Sequence, residues 1–241
     1  MSILLALGMA MVIIGLAQLA QRLRRGSLPA VPPVSRPEPM RAPFVPSGVF
    51  VSDAHGWLAF DAGSAFRVGL DGFLAEAIGP VEAIELPPVG TRVTRGEALL
   101  TLRVAGRRVA VAAPAAGEVV GVNELVRADR AQLTDDPYGR GWLVKLMPTD
   151  HKAALEPLYV GPGATAFLRR ELRRLVDWVN VVTAPAGAPQ LSDGGLPQRG
   201  VAAQLGDDQL ARFTSAFMSC DPAREASRGL PGARGPAALA P

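Results

Sequence analysis

The hydrophobic pattern changes character several times along the chain. Ile3 to Ala20 contains no charged residue. At about 1.5 Å rise per residue, a helix of this length nearly spans a hydrocarbon layer of about 30 Å. Arg22, Arg24 and Arg25 follow it at once. A cleaved signal peptide carries its positive charge before the apolar run, so this order predicts a retained transmembrane anchor over residues 1–25. The positive-inside rule then predicts a single-pass membrane protein, N-terminus outside and the bulk of the chain cytoplasmic. Ala6 and Ala10 form a small-xxx-small pair, and Gly8 and Gly15 lighten the same run. These four are the candidates for helix–helix docking in lipid.

Residues 26–48 hold seven prolines between Pro29 and Pro46. Proline fixes φ and donates no backbone hydrogen bond, which predicts an extended, polyproline-like linker. Residues 49–150 set short apolar runs between Gly/Pro breaks, at 83–86, 99–104, 109–112 and 118–122, the pattern of short strands. Leu100, Leu102 and Val104 alternate with Thr101 and Arg103, the period of a strand with one buried face. Phe66 to Ala77 contains a short amphipathic stretch of one or two helical turns. Residues 151–220 form a helical extension. Leu168, Leu172, Leu175, Val176 and Val179 recur at helical spacing and predict a helix over 164–182. A weaker helix runs from about 207 to 219, with Leu210, Phe213, Phe217 and Met218 apolar. Residues 183–206 are loop, and 221–241 form a Gly/Pro-rich tail too poor in large apolar side chains to order itself.

Composition narrows the chemistry. The only lysines are Lys145 and Lys152, so the basic character is carried by arginine. The single cysteine, Cys220, excludes an intramolecular disulfide. His55 and His151 are the only histidines, and no Cys/His group has metal-ligand spacing. No metal is therefore expected. No Ser/His/Asp set or paired carboxylates stand at recognisable spacing, so no catalytic residue is assigned and no enzyme is expected. Nucleic acid is not expected either, since no recognition motif is present.

Four ordered segments carry a family resemblance. They are His55-Gly56-Trp57-Leu58, Ile84 to Gly90 (IELPPVG), Ala113 to Glu124 (APAAGEVVGVNE) and Asp135 to Lys145 (DDPYGRGWLVK). Together they resemble the H protein of the glycine cleavage system. The resemblance implies a mainly β fold, a lipoyl-like β-barrel sandwich, here expected with one N-terminal transmembrane helix and C-terminal helices. It also implies a carrier lysine at the tip of a β-hairpin. The segment between Gly96-Glu97 and Pro114 has the family's length, which places that lysine's position at Gly106. Arginine cannot replace it, because a guanidinium stays protonated. No cofactor is therefore expected, and the domain reads as a degenerate, non-lipoylated relative.

Arginines supply the candidate contact residues. If Ala105-Gly106 is a two-residue turn, Arg103 faces Arg108 beside Arg107, and like charges directly opposite are unfavourable. Arg169, Arg170, Arg173 and Arg174 crowd one helix as two i,i+4 like-charged pairs. With Arg22, Arg24 and Arg25 these are the candidates for contact with a partner or with anionic lipid headgroups; a solvated helix face is the alternative. The expected function is a non-catalytic accessory or scaffold subunit of a multi-subunit membrane complex, respiratory or photosynthetic, with integral membrane subunits as partners. The alternatives are a membrane-tethered adaptor for a lipoate-dependent enzyme and an export-system membrane adaptor.

Overall fold

The computed structural model describes residues 38–156, 158–182 and 195–220. Among the described residues are ten strands: β1 (Val49–Val51), β2 (Gly56–Phe60), β3 (Phe66–Leu70), β4 (Ala83–Glu85), β5 (Arg92–Val93), β6 (Ala98–Val104), β7 (Arg107–Ala112), β8 (Gly117–Val122), β9 (Val144–Pro148) and β10 (Tyr159–Val160). Interleaved with them are helices α1 (Gly72–Ile78), α2 (Glu124–Ala128), α3 (Gln132–Asp135), α4 (His151–Leu155), α5 (Gly161–Val182), α6 (Val201–Gln204) and α7 (Asp207–Phe217). Seven strands form one sheet in the order β10-β1-β2-β3-β9-β8-β5, and three form a second in the order β4-β6-β7. Every ladder is antiparallel.

The predicted period-two strand is β6. Leu100, Leu102 and Val104 are buried on one face, against Val109 and Val111 of β7. Trp57 of β2 is fully buried, and its indole N–H donates to the carbonyls of Leu70 (2.9 Å) and Pro137 (3.1 Å). Gly69 of β3 permits this, since a Cβ there would lie 2.7 Å from the indole ring.

One feature corrects the sequence reading. The fold is mixed α/β rather than mainly β. Helices cover the sheets because their apolar stripes continue the same core: Ala164, Phe167, Leu168, Leu172, Leu175 and Val179 of α5 are buried with the strands. The stretch from Phe66 is split, with strand β3 first and α1 only from Gly72, started by the side chain of Asp71 accepting from the Leu74 N–H (2.8 Å). The expected transmembrane helix falls on residues outside those described. Among the described residues, no helix is long and apolar enough to cross a membrane.

Residues 38–48 of the proline-rich stretch are part of the folded body. Met40 and Val45 are buried, and the Met40 N–H donates to Pro197 O (2.9 Å). Arg199 returns the contact, its N–H to Glu38 O and its guanidinium to the Glu38 carboxylate, each at 2.9 Å. Further along, Trp178 of α5 packs edge-on against Phe213 and Phe217 of α7. The helical extension thus folds onto the sheets instead of extending from them.

Candidate functional site at the hairpin tip

The β6–β7 hairpin closes on Ala105 and Gly106, with φ of 47° and 76°. Positive φ at both central residues is the two-residue turn whose twist matches flanking strands. It enforces the register Val104 opposite Arg107 and Arg103 opposite Arg108, as the two-residue turn predicts. The Gly106 N–H donates to both carboxylate oxygens of Glu82 at 3.1 Å, which braces the tip. Nothing lies within 4 Å of where a Gly106 side chain would begin. The tip therefore projects into open space but offers no reactive group.

Its arginines are largely engaged within the chain. Arg107 donates to the carbonyl of Leu205 and to that of Ala203 (3.0 Å), and lies 3.5 Å from Asp207. These acceptors lie in the last turn of α6 and just after it, where carbonyls lack helical partners. Arg108 pairs with Glu85 of β4 at 2.5 Å. Arg103 is exposed. On α5, Arg169, Arg170 and Arg173 are exposed, whereas Arg174 is half-buried. Arg174 donates to Glu171 (2.5 Å) and to the Ala216 carbonyl, with its guanidinium 4.4 Å from the Phe217 ring centroid. Ala6, Gly8, Ala10, Gly15, Arg22, Arg24 and Arg25 lie outside the described residues.

Neither lysine approaches the tip. Lys145 of β9 holds Asp61 at 2.6 Å and lies 5.6 Å from the Trp142 ring centroid. Its hydrogen bond keeps the Asp61 carboxyl below the usual carboxylate range. Lys152 is exposed on α4 beside Glu156.

A second cluster lies in the interior. His55, at φ 63°, is fully buried between the rings of Phe73 (4.7 Å) and Phe167 (5.4 Å). Its Nδ1 donates to Asp71 Oδ2 at 2.7 Å, and its Nε2 lies 3.7 Å from Glu171 Oε2. Burial alone would lower the imidazole pKa; the charge and hydrogen bond of Asp71, with those of Glu171, outweigh it and raise it from 6.5 to about 9. Burial, and then the charge of Asp71, pushes the Tyr138 phenol up as well. With Arg174 the cluster carries two positive and two negative charges, and it joins the cap of α1 to α5 and α7. Sequence reasoning used His55 as a motif residue and as one of two histidines without metal-ligand spacing, and missed this cluster. The one local signal was Asp71-Gly72 ahead of an apolar run, a helix N-cap signature.

A β-hairpin projecting from a two-sheet body, with no catalytic constellation around it among the described residues, is the architecture of a binding or carrier domain. Comparison with known proteins is specific. Residues 49–171, half of the chain, match the family described as "Glycine cleavage H-protein". The glycine cleavage system H protein of Corynebacterium jeikeium is 35% identical over 115 residues, covering 46% of this chain and 91% of that protein. That of Thermobifida fusca is 37% identical over 111 residues, covering 46% and 87%. A crystal structure of the glycine cleavage system H protein from Mycobacterium marinum is 30% identical and covers 51% of this chain and 98% of that one, with a TM-score of 0.45.

The chain belongs to the glycine cleavage H-protein family. Proteins of this family are non-catalytic carriers, and the chain is not an enzyme. Membership corrects the reading of a merely H-protein-like domain set in a membrane-anchored protein, because the match covers nearly the full length of its relatives. It also overturns the accessory-subunit reading, the integral membrane subunits and lipid headgroups as partners, and the single-pass membrane location. Those expectations rested on one apolar run, on the absence of a lysine and on long segments read as unable to fold alone. The membrane adaptor alternatives and the respiratory or photosynthetic host lose their basis with them.

Proposed function

We propose that this chain is an H-protein-family docking protein that carries no lipoate. It engages an enzyme of the glycine cleavage system through its sandwich body and presents the hairpin tip without an arm. The observation that carries this reading is the tip itself: Ala105-Gly106 fills the turn, and the two lysines of the chain are held on β9 and α4. Lipoylation needs an exposed primary amine at a projecting position, which a glycine cannot supply. The exposed arginines Arg103, Arg169, Arg170 and Arg173 are the candidate contacts for the enzyme. Arginine suits such a surface because its planar fork meets carboxylates in two parallel hydrogen bonds.

The test is co-expression with a lipoate ligase and added lipoate, followed by intact mass measurement. The expected result is one unmodified species for the natural chain and a lipoylated species for Gly106→Lys, where open space receives the new side chain. A lipoyl group on Lys145 or Lys152 would overturn the reading. In parallel, the natural chain should compete with a lipoylated H protein for purified glycine cleavage enzymes. Failure to compete at any concentration removes the docking half of the proposal.

A further inference from the structure

Strand β7 is the open edge of the small sheet. Among the described residues β6 is its one strand partner. The two-residue turn makes Val104 and Arg107 a hydrogen-bonded pair. Alternation along an antiparallel ladder then directs the N–H and C=O of Val109 and Val111 toward β6, and those of Arg108 and Ala110 away from it. Among the described residues, no backbone hydrogen bond reaches the outward groups of Arg108 and Ala110. Both residues are exposed. Unpaired backbone on a sheet edge is a template for one more strand.

Helix α7 runs beside this edge. Its first residue, Asp207, lies 3.5 Å from Arg107 at the tip end of β7. The chain just past its other end approaches the far end of the strand. A Cβ on Gly96 would lie 3.5 Å from the Cys220 Cβ, and the Gly96 N–H donates to Ala113 O (2.9 Å), one residue beyond β7. Helix and strand therefore run in the same direction, with a cleft of about 710 Å³ between them that the described residues leave unfilled. Cys220 lines the cleft at the Ala112 end, and there the chain leaves the described residues.

Residues 221–241 follow. Asp221-Pro222 is a turn-initiating pair. A chain that turned back there would run antiparallel to β7. Proline cannot donate to a ladder, and 223–230 is the longest stretch without one after Cys220. It is long enough to cover the six residues of β7. Ala223, Ala226, Ser227 and Gly229 are small enough to lie beside Ala110 and Ala112.

We propose that residues 223–230 add to β7 as an antiparallel strand and fill the cleft between that edge and α7. The stretch is too poor in large apolar side chains to order itself, and main-chain hydrogen bonds to a ready edge supply what its side chains cannot. The added strand also closes the edge against pairing with another chain. Helix α7 and the added segment lie beyond the residues matched to the family. The proposal stands apart from the docking reading above and does not depend on it.

The experiment is residue-resolved amide exchange by NMR on the full chain. Val109 and Val111, bonded into β6, are the protected references in every sample. Expected in the natural chain is exchange of the Arg108 and Ala110 amides about tenfold slower than that of an open amide, the worth of one hydrogen bond. Glu225→Pro and Ala226→Pro separate strand pairing from loose cover. Alternate residues of an added strand point their N–H at β7, so one substitution removes a ladder bond and the other falls on the solvent side, where proline is tolerated. One variant should return the Arg108 and Ala110 amides to fast exchange, and the other should keep them protected. Neither substitution alters a residue of the sheets or of α7. Fast exchange of both amides in the natural chain would overturn the proposal and leave the edge to solvent or to a partner's strand. Equal exchange in the two proline variants would exclude the ladder. Protection that grows with protein concentration would assign the edge to a second copy of the chain instead.

Discussion

His55, Asp71 and Glu171 are buried together with half-buried Arg174 beside them; at the end of the β6–β7 hairpin, Glu82, Glu85 and three arginines lie at or near the surface. The interior group is closed on itself, since His55, Asp71, Glu171 and Arg174 balance in charge and hold one another between three helices. At the hairpin each arginine meets a different environment: the carbonyls of Ala203 and Leu205, Glu85, or solvent. Water can replace Glu85 as the partner of Arg108, whereas His55, Asp71 and Glu171 are shielded from it. Charges of the same kind should therefore matter very differently in the two places.

The largest expected effect breaks the interior group. His55→Ala leaves the Asp71 and Glu171 carboxylates buried without their shared cation, and removes the ring between Phe73 and Phe167. Removing one partner of a buried ion pair costs about 3–5 kcal/mol. Urea denaturation should show a loss of that size. A loss as small as that of any hairpin substitution would mean that the contrast between the two regions is wrong.

The pH dependence of stability reads the same cluster without mutation. The His55 pKa rises from 6.5 in the unfolded chain to about 9 in the folded protein, so the folded state binds the proton more tightly. The resulting stabilisation is fully present below about pH 6.5, declines as pH rises and is lost above about pH 9. The total is roughly 3 kcal/mol at 1.36 kcal/mol per unit. Thermal melts across this window should fall for the natural chain and stay flat for His55→Gln. Parallel profiles for the two would assign the pH dependence to other groups.

These two regions also differ in how legible they were. The hairpin could be read locally: alternation in β6 gave its buried face, and a two-residue turn dictated the register Arg103 to Arg108. The projecting glycine followed from counting between motifs. The interior group joins residues 16 positions apart in the case of His55 and Asp71. Glu171 comes from a helix more than a hundred residues further on, and nothing in its neighbourhood marks it as buried. The burial of Glu171 and the half-burial of Arg174 made the expected four-arginine face a three-arginine one. The membrane reading failed for a different reason: it joined a local signal, the apolar run, to an inference from one missing side chain, and neither reports what the matched domain binds.

Arg107 tests the hairpin's tie to the helical extension. Its two hydrogen bonds to the carbonyls of Ala203 and Leu205 are part-buried. Arg107→Ala should cost about 1–2 kcal/mol, the range for leaving such acceptors unpaired. The loss should be regional, with faster amide exchange over residues 201–217 and unchanged protection in β2 and β3. Uniform acceleration across the domain would show that the extension and the sheets unfold as one unit, and would extend the interior cluster's influence to the tip.

The smallest effect is a gain. Ala105 occupies a left-handed conformation at φ 47°, where its Cβ crowds the following carbonyl at a cost of roughly 1–2 kcal/mol. Asparagine tolerates this region better and is favoured before glycine in such turns. The Ala105 side chain is exposed, so replacing it disturbs no packing. Ala105→Asn should raise stability by about 0.5 kcal/mol, since asparagine recovers only part of the steric cost. The gain should appear equally at pH 6 and pH 9.5, because its origin is steric. A gain that vanishes at the higher pH would link the tip to His55, and the two regions would then have to be treated as one electrostatic system.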